Sequence, residues 1–394
     1  MKLLVANLGS TSFKYRLYDM PAEHQMARGG IERIGAAESR CLVQIGDHQQ
    51  ELTAAVPDHG EAVRRCLAQL TDPNVGCLTD PGEVAAIGFK AVHGGRKSGV
   101  QIVDEEVLKA MAEMNRVAPA HNPPYIAAMR QLRQQLPEIP LVAAFETDFH
   151  QTIPPANRTY GVPRQWHDQY LVRRWGFHGA SHRFVATRIA EILGRDDLRV
   201  VSCHLGGSSS LTAIRNKASV ATSMGCSPQS GVLQNNRVGD IDAYALSMVI
   251  ERTGQTLDEV LEQLSSEGGL LGISGVSGDV RDLREAAAAG NPQAQLALDT
   301  FVANIRQYLG WMLIELGGAD AIVFTAGIGE NDSGIRRDVC RQLEELGIVM
   351  DQAANEAAVG ETKISAPQSR VQIWVVPTQE EIVVARQVYA TLEG

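Results

Sequence analysis

The stretch 3-LLVANLGSTSFKYRLYD-19 decides how the rest of the chain is read. An apolar run ends in a turn, Asn7–Leu8–Gly9–Ser10–Thr11–Ser12, and a second run follows in which Phe13, Tyr15 and Leu17 alternate with polar residues. The pattern predicts a buried strand over 2–7, a glycine–serine turn, and a hairpin partner over 13–19. The device returns at 200-VVSCHLGGSSSLTAIR-215, and a third apolar run enters a glycine-rich turn in 320-DAIVFTAGIGEN-331.

Working outward, short strands are expected near 30–34, 41–45, 51–55 and 84–92, and over 140–149, where Glu146 and Asp148 would face one side at strand period. Helices are expected over 60–70, 103–116, 240–252, 257–265 and 279–289, in a stretch capped by Ser181, and as one long element running to Gly317 and Gly318. Each half holds a hairpin, further strands and alternating helices, so the expected class is α/β with duplicated architecture.

At 394 residues, two domains are expected. A net charge of −10 argues against nucleic acid or a membrane surface as partner, though a local basic pocket for an anion remains compatible with it. The six cysteines form no CxxC pair and read as reduced thiols. The apolar run at the N-terminus is too short for a signal peptide, so a cytoplasmic protein is expected.

A Gly/Ser turn between strands exposes backbone N–H groups and hydroxyls, a suitable phosphate cradle. Each turn could also be a plain hairpin or a helix-start turn; three in one chain favour a nucleotide. Lys14 follows the first turn and either reaches a phosphate or is a solvated strand lysine. In 173-RRWGFHGASH-182, Arg173, Arg174, His178 and His182 surround two glycines, and His178 is the better candidate for stabilising a transferring phosphoryl group. Arg237 sits in a polar turn before a helix, as a surface charge or an anion clamp. Lys90 ends a strand beside His93. Glu380 and Glu381 open the last helix as dipole partners or, for a carboxylate near a phosphate, as a Mg²⁺ ligand. No GxxxxGK[ST], HExxH, GxSxG or strand-following GxGxxG motif is present.

Taken together the residues resemble the acetate kinase family of acetate and propionate kinases. The strings that carry the resemblance run nearly end to end: Asn7 with GSTSFK, VHGG, APAHNPP, FHQTIP, GFHGASH, CHLGG, TSMG, GDID, LLGISGVSGDVRDL, FTAGIGEN and PTQEE. The resemblance implies two ribonuclease-H-like domains with a nucleotide cleft between them, the fold shared with sugar kinases, actin and chaperone ATPases. It implies a homodimer and the reaction of ATP with a short carboxylate to give ADP and an acyl phosphate, with Mg²⁺. Domains are expected at 1–148, with the helix 380–394 packing back on it, and at 149–379.

By position, the resemblance makes Asn7 and Glu380 magnesium-associated, and places Ser10, Ser12 and Lys14 in the first phosphate loop. His178 and Arg237 match the pair that stabilises the phosphoryl group in flight. His204, Leu205, Gly206, Gly207 and Ser208 form one nucleotide segment; Asp279, Val280 and Arg281 a second; Gly327, Ile328, Gly329, Glu330 and Asn331 a third. Val92, Ala120, Phe177 and Pro228 align with the pocket around the substrate's alkyl group. The chain departs from the family pattern at the active site. Lys90 stands for an arginine that forks to the carboxylate, Glu146 for the catalytic aspartate, Gly207 for an asparagine and Ala120 for a leucine. Asp148 stands where a small residue is usual and would share or take over the role of Glu146. These departures leave open a larger acid, another acceptor, a donor such as pyrophosphate, or a nucleotide-binding protein without acetate kinase activity.

Overall fold

The computed structural model describes residues 1–9 and 11–394; Ser10, expected in the first phosphate loop, lies outside them. The chain divides into two compact units, Met1–Asp148 with Gln379–Gly394, and Phe149–Thr378.

The first unit is built on an eight-stranded sheet: β1 (Lys2–Leu8), β2 (Ser12–Asp19), β3 (His24–Glu32), β4 (Ser39–Ile45), β5 (His48–Ala54), β6 (Val84–Ala91), β7 (Val100–Ile102) and β8 (Leu141–Phe145), in the order β5-β4-β3-β2-β1-β6-β8-β7. β1 pairs antiparallel with β2 and parallel with β6, which continues parallel to β8. Leu3, Leu4, Val5 and Ala6 are all 0% exposed, as expected of a central strand covered on both faces. Helices His59–Leu70, Glu105–Glu113 and Asn122–Gln135 cover one face, entering through side-chain caps where the sequence supplies them: Asp58 accepts from the Glu61 N–H and Asp104 from the Val107 N–H. The C-terminal helix Glu380–Glu393 lies against β1 and β6, with Val384 and Val388 set over Gly88.

The second unit holds a six-stranded sheet of β9 (Arg199–Leu205), β10 (Ser209–Arg215), β11 (Ala218–Thr222), β12 (Ala321–Thr325), β13 (Thr362–Lys363) and β14 (Gln372–Val375), in the order β11-β10-β9-β12-β14-β13. β9 pairs antiparallel with β10 and parallel with β12, which runs parallel to β14. The core order β3-β2-β1-β6-β8 of the first sheet is thus repeated as β11-β10-β9-β12-β14 in the second, with the same strand senses. The architecture is duplicated. The 25-residue helix Pro292–Leu316 packs on β10 and ends at Gly317 in the left-handed conformation, as its sequence predicts.

Some local expectations fail. β8 stops at Phe145, because its partner β6 ends at Ala91, whose carbonyl takes the Glu146 N–H before the chain turns. Glu146 and Asp148 therefore do not share a strand face, and Asp148 opens a 3-10 turn, Asp148–Thr152. Ser181 is no cap: Gly176 and His178, both at positive φ, swing the chain so that the helix begins at Gly179 and runs to Leu193. A Cβ on Gly176 would also fall 2.6 Å from the His150 ring. The glycine-rich stretch after β12, by contrast, is the helix start that is one of its two plain readings: a short helix, Ala326–Asn331, is entered directly from the strand through Ala326 at φ +65°.

Candidate active site

In the first unit Phe89 pairs with Ala6, so Lys90 and Asn7 follow side by side on neighbouring strands. Lys90 Nζ makes an ion pair of 2.5 Å with Glu380 Oε2, the two side chains being 21% and 15% exposed. Burial alone would lower the ammonium's pKa; the carboxylates of Glu380 and Glu146 outweigh it and hold Lys90 charged. Glu146 is buried. The Tyr125 hydroxyl donates to Asn7 Oδ1 at 3.3 Å, accepts from the Leu8 N–H at 3.0 Å, and is pushed by burial up to about 12. Asn7, Lys90, Glu146 and Glu380 therefore form one charged cluster, with Tyr125 as a member the sequence reading did not single out. Asp148 stands apart from it: its carboxylate accepts from Gln387 Nε2 at 3.1 Å. Lys14 is exposed and lines a separate cavity with Arg16, Arg28 and Glu381, while Ser12 closes the first turn by accepting the Gly9 N–H at its carbonyl. Glu381 pairs with Arg16 at 3.4 Å.

In the second unit four histidines converge with four serines. His178 Nδ1 and His182 Nε2 both lie 2.8 Å from Ser210 Oγ, and His182 Nδ1 lies 2.8 Å from Ser202 Oγ. His204 Nδ1 lies 2.8 Å from Ser181 Oγ, and its ring stacks on His178 at a centroid distance of 4.2 Å. His150 bridges Ser219 Oγ and the Phe177 carbonyl. Burial pushes His150 down to about 4 and His182 well below the usual imidazole value, so both are neutral. His178 itself is held at φ +56°, a left-handed backbone that non-glycine residues adopt at a cost of about 1–3 kcal/mol and that recurs at functional sites.

Arg237 joins this hairpin through Nη1, 3.3 Å from Ser208 Oγ and 3.3 Å from Gln234 Oε1. Burial lowers its pKa, but a guanidinium stays charged. Arg173 lies 3.7 Å over the Trp175 ring, and Arg174 donates to the Thr222 and Ser223 carbonyls.

Next to the hairpin lies a cavity of about 430 Å³ lined by Gly206, Gly207, Asn235, Asp279, Val280, Arg281, Gly327, Ile328, Asn331 and Asp332. Its size falls within the roughly 300–1,000 Å³ of ligand pockets. All three expected nucleotide segments thus reach one cavity. Not every expected residue does. Leu205 is buried in the core, and Gly329 is buried on the inner side of the short helix, against Phe324 and the Cys203 carbonyl. Glu330 turns back, its Oε1 accepting from the Ala326 N–H at 2.8 Å and the Thr378 N–H at 3.3 Å. Asp279 caps its helix and pairs with Arg281, whose guanidinium holds the carboxyl below the usual range. Arg336, 1% exposed and unremarked in sequence, ties down the helix by donating to the Gly329 and Glu330 carbonyls and to Asn355.

Comparison with known proteins matches the family model for the acetokinase family to residues 2–386. The chain belongs to the acetokinase family. An acetate kinase of Bacillus velezensis is 41% identical over 390 residues, 98% of each chain. Among solved structures, the acetate kinase of Porphyromonas gingivalis superposes with a TM-score of 0.90 at 37% identity over 99% of each chain. A propionate kinase of Francisella tularensis gives 0.90 at 30% identity over 98% of each.

As an acetokinase, the chain carries its expected alkyl-pocket residues two to a unit. Val92 is half-buried and Ala120 exposed in the first; Phe177 and Pro228 are buried in the second. Lys90, expected in place of an arginine, is ion-paired with Glu380. His150, Ser202 and Ser210 were not singled out in sequence, although Ser202 and His204 alternate on β9 and such alternation was the available signal.

Proposed function

We propose that this acetokinase transfers the terminal phosphoryl group of ATP to acetate or a similar short-chain carboxylate, giving ADP and an acyl phosphate. The observation that carries the reading is the meeting of the three expected nucleotide segments, two of them glycine-bearing, at one cavity, flanked by Arg237 and the His178 network. The second unit binds the nucleotide there. The first, 1–148 with the closing helix, supplies the acceptor side through Lys90, Val92 and Ala120.

Phosphoryl transfer asks the protein for position and for donors aimed at the oxygens that carry the developing charge. Arg237 provides a fixed charge, oriented by Ser208 and Gln234. Ser210 holds His178 at Nδ1 and His204 stacks on its ring. Lys90 orients the acceptor carboxylate. Of the first hairpin's expected phosphate contacts, Ser12 and Lys14 stand at the start of β2 beside Asn7.

For magnesium, the donor set is the test. Asn7, Glu146 and Glu380 offer hard oxygen atoms around Lys90, and magnesium takes one or two carboxylates and completes its shell with water and phosphate. Among the described residues no group of three or more His, Cys, Asp or Glu is arranged as a metal cage. The residues fit a cation that takes few protein ligands: Glu380 and Glu146 would hold it, with Asn7 close by. When bound, it neutralises charge on the nucleotide's phosphate oxygens.

The helices Ala243–Thr253 and Leu257–Ser266 expose Tyr244, Met248, Leu257 and Leu261, with Ile241 exposed just before the first; Tyr244 is 84% exposed. A patch of this kind supports the homodimer, and Tyr244→Glu should shift the protein to a monomer in light scattering. Among the described residues no helix is long and apolar enough to cross a membrane. The free cysteines suit the reducing cytoplasm, where ATP is held, and we place the enzyme there.

The test is hydroxylamine trapping of the acyl phosphate with ATP, magnesium and a panel of C1 to C6 acids. A hydroxamate should form with acetate and propionate. Absence of product across the whole panel would refute the reading.

A further inference from the structure

Gly207, in the second hairpin, faces Asn235 on the neighbouring loop. A Cβ built on Gly207 would stand 3.2 Å from Asn235 Nδ2 and 3.7 Å from its Cγ, so the carboxamide occupies the space a side chain at 207 would enter. The two loops are locked side by side. The Asn235 N–H donates to the Gly207 carbonyl at 3.2 Å, the Asn235 carbonyl accepts from the Leu271 N–H at 2.8 Å, and Arg237 Nη1 reaches Ser208 Oγ one residue further on. Both residues line the 430 Å³ cavity. Asn235 Oδ1 is buried and finds no hydrogen-bond partner among the described residues. Leaving a buried polar atom unsatisfied costs about 1–3 kcal/mol, so such an atom in a native cavity calls for a partner that arrives from outside.

The family resemblance led us to expect an asparagine at 207, and the hairpin has none. We infer that Asn235 supplies the missing carboxamide from the neighbouring loop and is a nucleotide-binding residue of this chain. The inference rests on the kinase reading above. Gly207 stays small because any side chain there would displace Asn235. The Nδ2 group donates to phosphate oxygens beside Arg237, and Oδ1 accepts from a donor that comes with the nucleotide, a ribose hydroxyl or a metal-held water. The carboxamide brings donors without adding charge, and its backbone clamps fix it before the nucleotide arrives.

The experiment uses the full-length enzyme and two readouts: the dissociation constant of ADP by calorimetry, and the KM values for ATP and acetate by hydroxamate trapping. Asn235→Ala should weaken ADP and raise the ATP KM about tenfold, the effect of losing one good hydrogen bond in a closed site, with the acetate KM within twofold of wild type. Asn235→Asp keeps the size and adds a charge toward the phosphates, so it should weaken nucleotide further still. Gly207→Ala should weaken ADP severalfold in the wild-type background and leave it unchanged in Asn235→Ala. ADP affinity within twofold of wild type in both Asn235 variants would overturn the inference. So would equal losses in the Ala and Asp variants that track a fall in Tm, since that is the mark of a purely structural residue. Calorimetry needs no turnover: an enzyme that formed no acyl phosphate would sink the kinase reading, while ADP binding would still decide the role of Asn235.

Discussion

The hairpins β1/β2 and β9/β10 occupy equivalent places in two sheets of the same strand order, yet they are surrounded by opposite chemistry. Around the first, the Lys90–Glu380 ion pair and Glu146 gather formal charge beside Asn7. Around the second, burial keeps His150 and His182 neutral, and serine hydroxyls bridge the rings. One duplicated frame thus carries two kinds of site. The charged one suits a small anion and a cation. The neutral one fixes the orientation of His178 through Ser210 and sets Arg237 against Ser208 and Gln234. Each prediction below breaks or sharpens that division.

The largest effect is expected in the second unit. His178→Ala and Arg237→Ala should each lower kcat by about 10²–10³-fold, the loss typical of one preorganised donor to a transition-state oxyanion. Steady-state kinetics checks this; a fall of less than tenfold in both would remove the second hairpin from the chemistry. In the first unit, Lys90→Met strands Glu380 and Glu146 without their shared cation. Losing one partner of a largely buried pair costs on the order of 3–5 kcal/mol, lowering Tm, and the acetate KM should rise while the ADP dissociation constant holds. A parallel loss of ADP affinity would show that the units do not divide the substrates in this way.

The neutral network has its own signature in pH. His150 titrates near 4 in the folded chain against about 6.5 when unfolded. The unfolded state therefore binds the extra proton first, and the network's contribution, complete above pH 6.5, is lost as the pH falls from about 6.5 toward 4. Denaturation midpoints across that range should decline in the wild type and decline less in His150→Gln. The smallest effect is expected at the exposed Ala120: Ala120→Leu should lower the kcat/KM ratio of propionate to acetate by only a few-fold, the value of about one methylene group in an apolar pocket.

Much of this organisation was legible in sequence because it is local. An apolar run, a Gly-Ser turn and an alternating run specify a hairpin wherever they occur, and the echo of residues 3–19 at 200–215 did reflect a repeated sheet. The long helix after Asn291 was equally plain, since its cap and its terminating Gly317 are encoded at its ends. What escaped depends on contacts between distant segments. Whether Glu146 and Asp148 lie on a strand depends on where the neighbouring β6 stops, which no pattern within 140–149 records. The start of the helix after His178 depends on a glycine packed against His150, far back in the chain. The His–Ser cluster draws on residues 150, 178, 202, 210 and 219, each ordinary in its own neighbourhood. Asn235 reads as a polar turn residue until the fold sets it against Gly207.

The central claim is that both units serve one transfer, from ATP to a carboxylate. Phosphorus NMR of the enzyme with ATP, magnesium and acetate tests it most directly. The account predicts an acyl-phosphate resonance that grows in step with ADP and is absent when acetate is omitted. ADP formed together with inorganic phosphate alone, or ATP left unconsumed with acetate and propionate alike, would contradict it.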